Sequence, residues 1–248
     1  MATSENLEAG SLERPEADDT VENIRNITGD RALKMLQKAQ KTDEKLEIAG
    51  EVISPKQAYE NLKFAFDFFR EKFGIKYDLY FRQFPGSIVG ESTERGIEID
   101  PILLMHPVTR LIHAIAHELG HAKGKVDNEG LVEAYVKYIM KIGLVENDGI
   151  TKTEKYMTAE KNFYEFIERI AKGKDLSEVI NNIYSLYYSQ KYEGIFELYN
   201  KRYIKTIKDR KGKDEAFDFF WEVFPEFQYN QEGDTVQKEI KKSKSEEV

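Results

Sequence analysis

The sequence predicts an α+β fold, with a small antiparallel or mixed sheet packed on a central helix and a helical C-terminal subdomain after it. Three observations carry that expectation. Apolar residues recur at helical spacing along most of the chain, short β-branched and aromatic runs are confined to about residues 76–100, and glycine or proline marks the changes of period. With 248 residues, 40% of them hydrophobic and 12% aromatic, the chain can build one sizeable core or a catalytic domain with a helical companion.

Residues 1–28 read as an acidic, disordered leader. Its first 22 residues carry seven acids against Arg14, a net charge of −6 out of −8 for the whole chain. Residues 29–148 form the next unit. Arg31 to Ala49 is an amphipathic helix with Leu33, Leu36, Ala39 and Leu46 on its apolar side. Ser54-Pro55-Lys56-Gln57 then combines a hydroxyl N-cap, a proline at the first helical position and a glutamine spaced for a capping box, and opens a helix that runs to Gly74. Lys76–Arg82, Ser87–Glu91 and Gly96–Asp100 are the strands, separated by Pro85-Gly86 and Glu94-Arg95-Gly96 and expected to pair antiparallel. Helices follow from Pro107 to Ala122, stopping near Gly124, and from Asn128 to Ile142, stopping at Gly143. Residues 149–230 are a helical subdomain, continuous in pattern from Thr153 to Phe224 with breaks near Gly173, around Gln190 and at Gly212, and 231–248 are a disordered polar tail.

Composition excludes several function classes. Beyond residue 22 the charge is only −2, and apart from short lysine clusters near the ends no concentrated basic face exists, so neither a nucleic acid nor an anionic membrane surface is an expected partner. The N-terminal stretch lacks the basic and apolar regions of a secretory signal and no apolar run is long enough to span a bilayer, so a cytoplasmic location is expected. The chain has no cysteine, which excludes disulfides, thiolate metal sites and cysteine nucleophiles. Any metal must rest on imidazole and carboxylate.

All four histidines, His106, His113, His117 and His121, lie within sixteen residues. His117-Glu118-Leu119-Gly120-His121 is an HExxH pattern inside an expected helix. Residues four apart share a helix face, so both imidazoles can address one ion, while Glu118 stands at the edge of that face where it can take a proton from a water. His113, His117 and His121 span about 12 Å along a helix, too far for one ion to reach all three, which assigns His113 a supporting role. His106, before Pro107, belongs to the helix start. A third ligand is required for catalytic zinc, and the spacing allows Glu129 or Glu133 across a tight turn near Lys125 and Val126, or Asp127 in an HExxHxxGxxD pattern. The Asp127 arrangement also calls for a methionine-bearing turn, whereas Met140 and Met157 fall in helical patterns.

HELGHA followed by NEGLVEAY resembles the gluzincin metallopeptidases, over about residues 97–140, and the short interval between the two elements is similar to the compact, minimal members. The resemblance implies a zincin-like catalytic domain in which His117, His121 and Glu129 bind Zn2+, Glu118 is the general base, and Glu133 orients a histidine or replaces Glu129 as ligand. The expected activity is hydrolysis of a peptide or protein substrate, with the strand Gly96–Asp100 or its neighbour Ser87–Glu91 offering an edge to an extended peptide. The alternative is a non-catalytic or latent protein on the same scaffold, acting as a protein-binding module through aromatic segments such as Asn182–Tyr192 and Phe217–Phe227.

The histidine count excludes more. A di-iron bundle needs a second ExxH element and none exists, and no GxSxG supports a serine hydrolase. With no histidine beyond His121, an oxyanion donor would have to be a tyrosine, an arginine or a backbone amide.

Overall fold

The structure, a computed structural model, describes residues 24, 26–42, 46–48, 51–86, 88–121, 125–140 and 154–229. The acidic leader up to residue 23, the stops at Gly124 and Gly143, the boundary at 148 and the polar tail lie outside the described residues. The fold is α+β, with a four-stranded mixed sheet and eight α-helices among those residues. No helix among them is long and apolar enough to cross a membrane.

A short strand, β1 (Ile27–Thr28), leads into α1 (Gly29–Thr42), which buries Ala32, Leu36 and Ala39 on one face. The helix expected to reach Ala49 ends at Thr42, and Leu46–Ile48 (β2) pairs antiparallel with Glu51–Ile53 (β3). β-Branched Ile48, Val52 and Ile53 favour an extended ribbon over another helical turn.

Helix α2 (Pro55–Phe73) has proline in its first turn, buries Ala58, Leu62, Ala65 and Phe69 along one stripe, and ends on Gly74 in the left-handed conformation (φ 65°). The amides of Gly74 and Ile75 turn back to Arg70 and Phe69, so the last carbonyls are satisfied. The expected capping box does not form. Ser54 has the N-cap backbone conformation without a side-chain cap bond, and Gln57 Nε2 instead donates to Asn61 Oδ1 at 2.9 Å. Asn61 is buried and needs that donor, because its own amide is committed to the carbonyls of Leu104 (3.2 Å) and His106 (3.1 Å).

The sheet contains β1, β4 (Leu79–Phe81), β5 (Gly90–Thr93) and β6 (Gly96–Ile99) in the order β1-β4-β6-β5. It is mixed rather than antiparallel. β5 and β6 form a hairpin, and β6 then inserts beside β4 in parallel, which leaves β5 at the edge. Leu79, Phe81, Ile97 and Ile99 point inward and are buried. Glycine is required at position 96, which has φ 138°, because a Cβ there would lie 2.3 Å from the Asp78 carbonyl oxygen.

Asp100 ends β6 and caps a 3-10 turn (Pro101–Met105) through the amide of Ile102, while its other oxygen accepts from Phe84 N–H, both at 2.9 Å. Helix α3 (Val108–His121) follows, packed on the sheet and α2 by Leu111, Ile112, Ile115 and Ala116. Helix α4 (Glu129–Ala134) is shorter than expected and continues as a π-helical turn (Tyr135–Ile139). Its α-helical part sends Leu131, Val132 and Ala134 into the second core, whereas Val136 and Met140 belong to the first.

The C-terminal half consists of α5 (Glu154–Ala171), α6 (Leu176–Tyr188), α7 (Tyr192–Arg202) and α8 (Arg210–Val223), followed by a 3-10 turn (Pro225–Tyr229). Breaks fall at Gly173 and Gln190 as expected. The third falls at 203–209 rather than at Gly212, because Asp209 caps α8 by accepting from the Gly212 amide at 2.7 Å. The aromatic segments expected as a possible partner surface are mainly core: Tyr187, Phe217, Phe220, Phe224 and Phe227 are buried, and Tyr188 is exposed.

Replacing Gly96 by alanine should destabilise the protein by roughly 2–4 kcal/mol, from left-handed backbone strain plus the carbonyl clash, read as a lower urea midpoint with unchanged slope.

Candidate metal centre

The site lies at the seam between the two cores, where α3 and α4 approach closely enough that a Cβ on Gly120 would stand 2.9 Å from Val132 Cγ1. His117 and His121, one turn apart on α3, hold their Nε2 atoms 3.1 Å from each other. Glu129, first residue of α4, places Oε2 3.2 Å from His117 Nε2 and 3.6 Å from His121 Nε2. An ion about 2.0–2.1 Å from three donors at tetrahedral angles requires donor separations of about 3.3–3.4 Å. The observed triangle brackets that value. Glu129 Oε2 is buried and makes no well-aligned hydrogen bond, so the three atoms face a common point that a cation fits.

The outer ring nitrogens hold this arrangement in place. His117 Nδ1–H donates to Glu133 Oε1 at 2.9 Å, and His121 Nδ1–H donates to the Val126 carbonyl at 2.6 Å. In the neutral ring each bond selects the tautomer that leaves Nε2 bare toward Glu129. Glu133 has no solvent exposure, and its Oε1 also accepts from His113 Nε2 at 3.3 Å. Because Glu133 meets His117 on the side away from Glu129, it supports the ring rather than completing the triangle.

Sequence-expected residues therefore separate cleanly. His117, His121 and Glu129 converge, Glu133 and His113 stand behind His117, and Asp127 is exposed and belongs to neither metal-capable cluster among the described residues. His106 sits at the end of the 3-10 turn, its carbonyl held by Asn61. Among the C-terminal tyrosines, Tyr184 donates to the Gly120 carbonyl at 2.7 Å and Tyr187 to Glu226 at 2.8 Å, which commits both hydroxyls away from the site.

Electrostatics reflect the convergence. Burial disfavours a charged His117 ring, yet the Glu129 carboxylate 3.2 Å away and the hydrogen bond to Glu133 outweigh it and raise its pKa to about 10. Burial and then the neighbouring His117 charge push His121 down. For Glu129 and Glu133 burial opposes ionisation, but the histidines hold both below the usual carboxylate range, Glu133 far below it. In the metal-free chain a proton on His117 thus takes the place of a cation. Glu118 behaves differently. It is 7% exposed, and burial raises its pKa to about 7 against the opposing pull of His117 and a hydrogen bond from the Ser92 amide. β5 can come that close because position 90 lacks a side chain, and a Cβ there would stand 2.9 Å from Glu118 Oε1.

The Val126 carbonyl, the Ser92 amide and the link from Asn128 to Glu226 are not legible in the sequence. Backbone partners leave no mark in residue identity. Asn128 did carry a signal, as an N-cap residue immediately before the glutamate. Comparison with protein families, curated proteins and solved structures returns no match.

Zinc binding at pH 7 should release one proton from His117 and a further fraction from Glu118, and between about pH 8 and 10 affinity should rise about tenfold per pH unit until the His117 ring titrates near pH 10. Calorimetry in buffers of different ionisation enthalpy measures both. Glu129→Ala should weaken zinc binding by more than about 100-fold and Glu133→Ala by about 10–100-fold, while Asp127→Ala leaves it unchanged.

Proposed function

We propose that this chain is a zinc-dependent peptidase, similar to the compact gluzincins, that hydrolyses a bond in an extended peptide. The observation that carries the reading is the triangle of His117 Nε2, His121 Nε2 and Glu129 Oε2 beside a buried Glu118 on the same helix. Two imidazoles and one carboxylate with a position left open form a donor set suited to catalytic zinc. Zinc bound there would supply Lewis acidity toward a substrate carbonyl and bring the pKa of a water close to neutrality.

Glu118 does the proton work. In the metal-free chain its pKa of about 7 reflects burial, and a cation nearby pulls the carboxyl back toward the ionised form that a base needs. The carboxylate accepts the proton of the attacking water and returns it to the leaving amide nitrogen, so the same oxygen acts first as base and then as acid. Glu133 and the Val126 carbonyl hold the imidazoles in their tautomers throughout.

The sheet supports a place for the substrate. β6 lies between β4 and β5, so Gly96–Ile99 cannot receive a peptide, whereas β5 is an edge strand whose Ser92 amide reaches Glu118. A peptide added along β5 by main-chain hydrogen bonds would run past the catalytic carboxylate.

Glu118→Gln should lower turnover of a peptide library by about 10²–10⁴-fold with unchanged zinc affinity. Retained turnover would overturn the mechanism. Zinc binding by the unaltered chain with no peptide hydrolysed would favour a non-catalytic protein on the same scaffold.

A further inference from the structure

Glu129 is the first residue of α4, and what precedes it is tied to the far end of the chain. Asn128 Oδ1 caps α4 by accepting from the Leu131 amide at 2.9 Å. Its Nδ2 donates to the Val223 carbonyl at 2.7 Å and to Glu226 Oε1 at 3.2 Å. The same Glu226 oxygen accepts from Tyr187 O–H at 2.8 Å. Asn128 is 8% exposed, so these bonds are shielded from water, and the residues at their other ends belong to α8, the following 3-10 turn and α6. On the opposite side of Glu129, a Cβ on Gly130 would lie 2.6 Å from the Ala159 carbonyl oxygen of α5. The first turn of α4 is thus pinned on both flanks by C-terminal helices.

The amides of a helix's first turn have no acceptor within the helix, so that turn is held from outside, and a metal ligand displaced by about half an ångström no longer closes its site. We propose that Glu226 and Tyr187 are positioning residues for the metal centre, acting through Asn128 to hold Glu129 against His117 and His121. This rests on the metal-site reading above. The C-terminal half then sets metal affinity, a role beyond covering the hydrophobic face of α4. Glutamine at position 226 can still accept from both Asn128 and Tyr187, whereas alanine cannot.

The test uses the full chain and zinc alone, with affinity measured by competition against a chromophoric chelator and ligand geometry by the visible spectrum of the cobalt-substituted protein. Glu226→Ala should weaken zinc binding by about 10–100-fold and alter the cobalt spectrum, Tyr187→Phe should do so by at least about threefold, and Glu226→Gln should restore affinity to within about threefold. Thermal unfolding of the metal-free variants separates these effects from stability, and if Glu226→Ala does not fold, Tyr187→Phe and Glu226→Gln decide. Wild-type affinity and spectrum in the alanine and phenylalanine variants would overturn the inference while the metal site stands. An unaltered chain that binds no zinc, or a Glu129→Ala variant that binds as tightly as wild type, would overturn the metal-site reading and this inference with it.

Discussion

A carboxylate with no access to water destabilises a fold by several kcal/mol unless it is paired, and Glu133 is that carboxylate. Its Oε1 takes hydrogen bonds from His113 and His117, both on α3, so the pairing is also what clamps α4 onto α3 at one fixed rotation. With that rotation set, Glu129 lies one helical turn earlier and on the same side, facing the opposite nitrogen of the same His117 ring. The geometry of the triangle follows from how one buried acid is satisfied.

The two cores meet at this pair of helices. The first is built from α1, α2, the sheet and α3, the second from α4 to α8, and the change from α- to π-helical winding after Ala134 lets one continuous segment contribute to both. Tyr184 strengthens the seam by donating to the Gly120 carbonyl and stacking on Tyr135 at 4.2 Å. A site placed at such a junction has rigid walls on each side. It also gains close backbone approaches at Gly90 and Gly120, where a side chain would push β5 from Glu118 and α4 from α3.

Much of this was legible in the residues. Helix α2 was bounded by Pro55 and Gly74, and the HExxH pair was placed on one helix face by its spacing alone. Local errors arose where a tertiary partner outbid a local one, as when Gln57 turned to Asn61 instead of closing a capping box, and where a cap outranked a glycine, as at Asp209 and Gly212. The β2–β3 ribbon was missed because Leu46 also continues the helical stripe of α1. The mixed sheet was compatible with the strand positions but not implied by them, since pairing direction depends on which neighbour β6 inserts beside.

The sequence by itself determined the chemistry available: imidazole and carboxylate, without thiol, in a helical i,i+4 pair that encloses a glutamate. Those facts depend on residue identity and on a period of 3.6, which every α-helix shares. Only the tertiary structure decided where Glu129, Glu133 and Asp127 stand around the two histidines, because all three fall within reach of a tight turn: Glu129 and Glu133 face opposite nitrogens of His117, and Asp127 stays exposed. That placement is set by the burial of Glu133, the approach of Gly120 to Val132, and an asparagine cap whose partners lie 95 and 98 residues away. Spacing within one segment carries no information about contacts of that range.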